Sequence, residues 1–344
     1  MNKVDVILGL QHGDEAKAKC AYAICEQNQY DYVVRFNGGP NAGHTIYHEG
    51  HKFVTHQVPV GVFFGISSII GPCSVVDLIK LEKEVDELSE FLGKDISNLI
   101  LIDKRAHMIT TDHIESDSDG SDIGSTKSGI AYAYGDKYLR KGIRYNSSYQ
   151  FACVDTYKIF HETKNTFQNY MNLNILFEGA QGFGLDIDFG DYPYVTSSNC
   201  GLAGVISSGI NHSMIRNVIG IAKIYETYVG NKEFQPIIND ELPKFQEVGQ
   251  EIGATTGRKR QCNYLNLDTL IPAIKINGVD TIIFNKMDII ETLNIFKVIY
   301  NKKIVIFEDV NLMKKFIENR IDECYSKKIT FVYSGNPQTI WKNI

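Results

Sequence analysis

The stretch that most constrains the fold of this 344-residue chain is its first strand-to-helix junction. Val4 to Leu10 (VDVILGL) is β-branched and apolar, which predicts a buried strand. Gln11 to Lys19 (QHGDEAKAK) reads as a tight turn opening a helix. Gly9 and Gly13 supply the turn, Asp14 and Glu15 stand where a helix N-terminus favours carboxylates, and Ala16 to Ala23 propagate well. The first amides of such a helix lack partners, so the junction is a ready anion site. Lys17 and Lys19 stand beside it, and Asp14 at its mouth could ligate Mg²⁺ or take a proton. Residue types alone leave two readings open: phosphate chemistry, or only a well-capped junction.

The same alternation recurs along the chain. Strands are expected at Tyr32–Phe36, Phe53–Val58, Ser68–Gly71, Leu99–Ile102, Asn174–Phe177, Val218–Ile224 and Thr281–Phe284. Ile295–Tyr300, Ile304–Phe307 and Ile329–Tyr333 are expected to close the sheet. Helices are expected at Val75–Phe91, Ala131–Lys141, Tyr149–Met171, Leu267–Ile276 and Leu312–Tyr325. Thr110 to Gly129 is so polar that it reads as a long mobile loop. No repeat or composition break divides the chain, so residues 1–344 are read as one α/β domain. Its large, mostly parallel central sheet is flanked by helices, and the ligand site is expected at the carboxyl ends of the strands.

Composition narrows the function. A net charge of −6 excludes general nucleic-acid binding, so phosphates must be met by local cations. Seven scattered cysteines without a CxxC pair read as reduced thiols of a cytoplasm-like compartment. The N-terminus reads as a strand containing Asp5 rather than a signal peptide, and no apolar run suits a membrane span.

Four loops carry chemistry. NKMD (Asn285–Asp288) follows TIIF; a carboxylate there can accept both N1–H and the 2-amino group of guanine, which adenine cannot offer. A solvated turn is the competing reading, and Ser334 and Gly335 after another strand could add a second guanine contact. GxxxxGK[ST] is absent, so a Walker-type GTPase is excluded; phosphates fall to Gly13–Lys19 and the NAGH loop. In that loop His44 suits a phosphate-facing role, while His48, His51 and His56 read as surface histidines of a hairpin and complete no zinc spacing. GATTGRKR (Gly253–Arg260) brings two threonines and three cations to a dianionic or dicarboxylate ligand. Gln181 could read a base edge or be a satisfied loop amide. Asp186, Asp188 and Asp191 fit solvated loop acids better than a metal site.

Taken in order, GDEAKAK, GGPNAGHT, IGSTKSGIA, DKYLRKGIR, FEGAQGFGLDIDFGDYPYVTSSN, GATTGRKR, NKMD and YSGNP resemble the adenylosuccinate synthetase family over almost the whole chain. The resemblance implies a P-loop-NTPase-like, GTP-dependent ligase without a Walker A motif. It would join L-aspartate to C6 of IMP with GTP and Mg²⁺ through a 6-phosphoryl intermediate. By resemblance Asp14 is the base at N1 and a Mg²⁺ ligand, with the Gly43 carbonyl as a second ligand. His44 donates to the γ-phosphoryl oxygens and Gln181 serves the base. Asn41, Ser125, Thr126, Thr196 and Arg258 hold the nucleotide, and Arg140 reaches its 5′-phosphate from the other subunit of a homodimer. Thr255, Thr256, Arg258 and Arg260 bind aspartate. Gly13, Glu15, Ala16, Lys17, Lys286, Asp288, Ser334 and Gly335 serve GTP.

The chain also departs from the family pattern. Ala16 and Ala18 replace glycines usual in the first loop, which is expected to cost backbone freedom and set two methyls against the phosphates. Lys127 replaces a glycine, with its cation expected beside the 5′-phosphate. QCNYLN follows Arg260, and the tail reads SGNP. The chain is compact, like archaeal and phage members. A phage branch of the family acts on dGMP, and Asp14 could also accept from guanine's 2-amino group. The same chemistry on dGMP, giving the precursor of 2-aminoadenine, therefore stands beside IMP. A non-catalytic guanine-nucleotide sensor is the alternative of another class.

Overall fold

The computed structural model describes residues 2–118, 124–164, 172–234, 240–253 and 257–335. In chain order the strands are β1 (Lys3–Gly9), β2 (Tyr32–Arg35), β3 (His44–His48), β4 (His51–Thr55), β5 (Ser67–Ile70), β6 (Val75–Val76), β7 (Ile100–Asp103), β8 (His107–Met108) and β9 (Ala152–Val154). They continue with β10 (Asn174–Glu178), β11 (Ile215–Lys223), β12 (Tyr225–Tyr228), β13 (Gln261–Asn266), β14 (Thr281–Asn285), β15 (Lys297–Tyr300), β16 (Lys303–Ile306) and β17 (Thr330–Tyr333). The helices are α1 (Lys17–Gln27), α2 (Leu78–Leu92), α3 (Thr111–Ser118), α4 (Ile130–Leu139), α5 (Thr156–Glu162), α6 (Leu202–Ser207), α7 (Leu242–Val248), α8 (Leu267–Asn277), α9 (Met287–Leu293) and α10 (Val310–Cys324).

Nine strands form one sheet in the order β17-β14-β11-β1-β10-β2-β5-β7-β9, and every pairing in it is parallel. Interior strands of such a sheet are covered on both faces, so they read as continuous apolar runs. β1 shows this: six of its seven residues are buried. Val4, Val6 and Leu8 enter one core and Ile7 the other, so the strand feeds both layers of helices. β1 lies between β10 and β11, its chain-distant neighbours, and the loops after these three strands meet at one end of the sheet.

The structure corrects several boundaries. β15 and β16 do not close the main sheet; they join β12 and β13 in a separate four-stranded sheet. Val75–Val76 is a short strand paired with β8, and α2 starts only after Asp77, whose side chain accepts from the Lys80 amide. Its C-terminus is closed by Gly93 in the left-handed region. The polar stretch read as a loop from Thr110 contains α3, whose first turn is tied by the Thr110 hydroxyl to the His113 amide at 3.4 Å. The helix expected at Tyr149–Met171 is instead β9 and α5, with residues 165–171 outside the described part.

Candidate active site

The loop after β1 folds onto its own carboxylate. Glu15 accepts from the amides of Gln11 at 3.0 Å and Gly13 at 2.8 Å. Its other oxygen takes Lys17 Nζ at 2.6 Å, and that ammonium also donates to the Gly13 carbonyl at 2.8 Å. Burial alone would raise the Glu15 carboxyl; Lys17 and the amides outweigh it and hold it below the usual range. Gly9 is required here, because a Cβ would lie 2.6 Å from Glu15 Oε2 and 2.9 Å from Lys17 Nζ. Ala16 enters α1 in the left-handed region at φ 68°. Ala18 departs from the expected methyl against phosphates: it is helical and packs in the core. Lys127 is exposed and donates to the Ser118 carbonyl at 3.2 Å.

His44 opens β3 and is held from behind. Its Nδ1 lies 2.5 Å from Glu178 Oε1 at the end of β10, and Arg35 Nη2 from the end of β2 lies 2.9 Å from the same oxygen. The Val60 amide donates to the other Glu178 oxygen at 3.0 Å. Burial would raise Glu178, but Arg35 and His44 hold it at about 2. An ionised carboxylate only accepts, so Nδ1 carries the proton and Nε2 is the nitrogen not committed to Glu178. Burial, with Arg35 beside it, lowers His44 to about 4, so the imidazole is neutral at rest.

These groups open on one cleft. Asp14, His44 and Gln181 line it, as do Gly13, Asn41 and Gly43 from the first two loops. Ser125, Thr126, Thr196 and Arg258 complete its walls. Gln181 sits at φ 56°, and its buried Oε1 has no hydrogen-bond partner. Arg258 donates to the Gly124 carbonyl at 3.0 Å, and Arg260 reaches Asp14 Oδ1 at 2.8 Å. Thr255 and Thr256 lie outside the described residues. Arg140 is exposed past the end of α4 and is not part of this cleft.

A second cluster forms behind the first loop, at the ends of β14 and β17. Asn285 donates to the Glu15 carbonyl at 2.7 Å, Lys286 donates to the Gly249 carbonyl at 2.9 Å, and Met287 N–H donates to the Ser334 carbonyl at 3.1 Å. Asp288 stands in the first turn of α9, with one buried carboxylate oxygen that has no partner, and Gly335 packs against it. Burial lowers Lys19 to about 8, with Asp288 and Lys286 both close enough to act on its charge. NKMD therefore touches the anion loop directly.

Sequence reasoning missed Glu178, Arg35 and Glu251: the Glu178 contacts to Arg35 and His44 span 143 and 134 positions, and the nearer pairing of Glu251 with Arg260 follows no recognised motif spacing. The signal available for Glu178 was its place before the GAQG loop. For magnesium, the described residues lining the cleft include one carboxylate, Asp14, with Gly43 of the second loop in the same lining. A single carboxylate suits an ion which keeps its waters and takes its remaining ligands from phosphates. Among the described residues no group of three or more His, Cys, Asp or Glu is placed to hold a metal, and no helix is long and apolar enough to cross a membrane.

A loop after β1 without the Walker motif, touched by NKMD and beside a cleft lined by Asp14, His44 and Arg258, fits the class of nucleotide-dependent ligases. The adenylosuccinate synthetase family model matches residues 6–171 and 148–326. The adenylosuccinate synthetase of Cytophaga hutchinsonii is 38% identical over 350 residues, covering 88% of this chain and 80% of that protein. That of Parabacteroides distasonis is 36% identical, covering 86% and 80%. A fully ligated adenylosuccinate synthetase from Plasmodium falciparum superposes with a TM-score of 0.82 at 26% identity, covering 98% of each chain. The cyanophage S-2L succinoaminodeoxyadenylate synthetase bound to dGMP and dATP shares the fold, with a TM-score of 0.69 at 21% identity, covering 93% of this chain and 99% of that one. The chain belongs to the adenylosuccinate synthetase family and is an enzyme of its GTP-dependent carbon–nitrogen ligase type.

Proposed function

We propose that this enzyme joins L-aspartate to C6 of a 6-oxopurine nucleoside monophosphate, IMP, at the expense of GTP. The observation that carries the reading is the convergence of Asp14, His44, Gln181 and Arg258 on one cleft beside the Glu15–Lys17 loop. In the first step Asp14 takes the N1 proton, O6 attacks the γ-phosphorus of GTP, and GDP leaves. His44 takes up a solvent proton at Nε2 as charge gathers on the phosphoryl oxygens, and the imidazolium, held at Nδ1 and stabilised by Glu178, donates from Nε2. In the second step the aspartate amine attacks C6 and phosphate departs, leaving the N6-succinyl nucleotide. Gln181 offers its amide to the base, and Asn41, Ser125, Thr126, Thr196 and Arg258 hold the nucleotide. Thr255, Thr256, Arg258 and Arg260 take the aspartate carboxylates.

Gly13, Glu15, Ala16, Lys17, Lys286, Asp288, Ser334 and Gly335 serve GTP; the unpartnered Asp288 oxygen is the acceptor guanine needs. Asp14 and Gly43 would hold Mg²⁺, which supplies charge neutralisation for the phosphates. Arg140, exposed beyond the cleft, would complete the partner subunit's site in a homodimer. A second reading, the same chemistry on dGMP, is supported by the fold shared with the cyanophage enzyme bound to dGMP. Purified protein with GTP, Mg²⁺ and aspartate is assayed against IMP, GMP and dGMP side by side. A succinylated product from IMP is expected; product from dGMP alone would replace IMP by the second reading. GTP binding with no product from any base would overturn ligation in favour of a nucleotide sensor.

A further inference from the structure

A buried acid outside the proposed catalytic set, Glu251, has three side-chain partners. It is fully buried, in the stretch between α7 and β13. One of its oxygens accepts from Lys223 Nζ at 2.9 Å and Arg260 Nη1 at 2.5 Å; the other accepts from the Tyr225 hydroxyl at 2.6 Å. The Arg260 amide also donates to the Glu251 carbonyl at 3.0 Å, so the two residues are paired through both backbone and side chain. The remaining terminal nitrogen of Arg260, Nη2, is the one that reaches Asp14 at 2.8 Å. The guanidinium is thus a rigid bridge with a buried acid at one end and the cleft acid at the other. A planar fork anchored on one tine fixes the direction of the second.

The anchor is itself fixed. Lys223 closes β11, and its backbone is clamped by Gln11, which accepts from the Lys223 amide at 2.8 Å and donates to its carbonyl at 3.0 Å. Gln11 belongs to the same loop as Asp14. Glu251 therefore links the loops after β1 and β11 with the arginine loop.

We propose that Glu251 is a positioning residue for aspartate capture: it aims Arg260 at the space beside Asp14 where the amino-acid carboxylate must sit. The proposal rests on the ligase reading above. Its test is steady-state kinetics of Glu251→Gln, with KM measured separately for aspartate, GTP and the 6-oxopurine nucleotide. The KM for aspartate is expected to rise by about tenfold to a hundredfold, while the other two change less than about threefold. Because Glu251→Gln strands Lys223 in the interior, the Lys223→Met/Glu251→Gln double variant is measured beside it and is expected to show the same split. Tyr225→Phe leaves the Lys223–Glu251–Arg260 chain intact and is expected to leave the aspartate KM within about threefold of wild type. An unchanged aspartate KM in a folded variant, or three KM values rising together, would overturn the role of Glu251. An inactive wild-type enzyme would instead overturn the ligase reading itself.

Discussion

At the residue scale, the backbone and one histidine make separate predictions. Ala16 holds a left-handed conformation at φ 68°, which costs an L-residue about 1–2 kcal/mol. Ala16→Gly relieves that strain but adds unfolded-state entropy, so a net stabilisation of about 0.5–1 kcal/mol is expected in urea denaturation. Ala18→Gly, in the first turn of α1, removes a methyl buried in the core and is expected to destabilise by about 1 kcal/mol. His44 predicts a pH dependence. Its folded value of about 4 lies below its unfolded 6.5, so the unfolded chain binds more protons between those values. Stability is therefore free of this penalty above about pH 6.5 and falls as pH drops toward 4, by up to about 3 kcal/mol. His44→Asn should flatten that window in urea titrations at pH 7 and 5, and should lower kcat by about 10²–10⁴. Glu178→Gln is the poorer probe, because it leaves Arg35 buried beside a neutral partner, a loss of about 3–5 kcal/mol.

At the element scale, eight of the nine strands of the main sheet were legible, while β9 and, outside that sheet, β3, β6, β8, β12 and β13 were not, and neither was the company each strand keeps. The apolar runs of β1, β10, β11 and β14 announce buried parallel strands, and the glycine loops after β1 and β10 announce the site. Periodicity says that β15 and β16 are strands but not which sheet receives them; that depends on the pairing of Leu265 with Val298, residues distant in sequence. His44 and Glu178 are separated by 134 positions, and Arg260 and Asp14 by 246, so neither pair leaves a local pattern. NKMD was legible because its residues are consecutive, though its contact with Glu15 through Asn285 was not. The β14–α9 junction carries its own prediction. A carboxylate at Asp288 suits the guanine donors, whereas an amide would suit a 2-oxo group. Asp288→Asn should weaken use of GTP by about 10²-fold and improve use of XTP, read from kcat/KM for each nucleotide.

At the scale of the whole molecule, the exposed position of Arg140 outside the cleft sets up a complementation test. On the proposed homodimer with shared sites, Asp14→Asn and Arg140→Leu are each expected to abolish activity on their own. After mixing and subunit exchange, half of the dimers carry one intact site, so activity should return to about a quarter of wild type. No recovery would exclude a shared site. The sheet order has a further consequence, in the time course of biosynthesis. Of the nine strands in the main sheet β1 leaves the ribosome before the others, yet its two neighbours, β10 and β11, end at Glu178 and Lys223. At ordinary elongation rates the first strand waits on the order of tens of seconds for its partners. Until then its apolar residues have no sheet to enter, and the loop from Gln11 to Lys17 cannot close on β11. The nascent chain must shelter β1 meanwhile, and the loop after it, translated ahead of β10 and β11, takes shape only once they arrive.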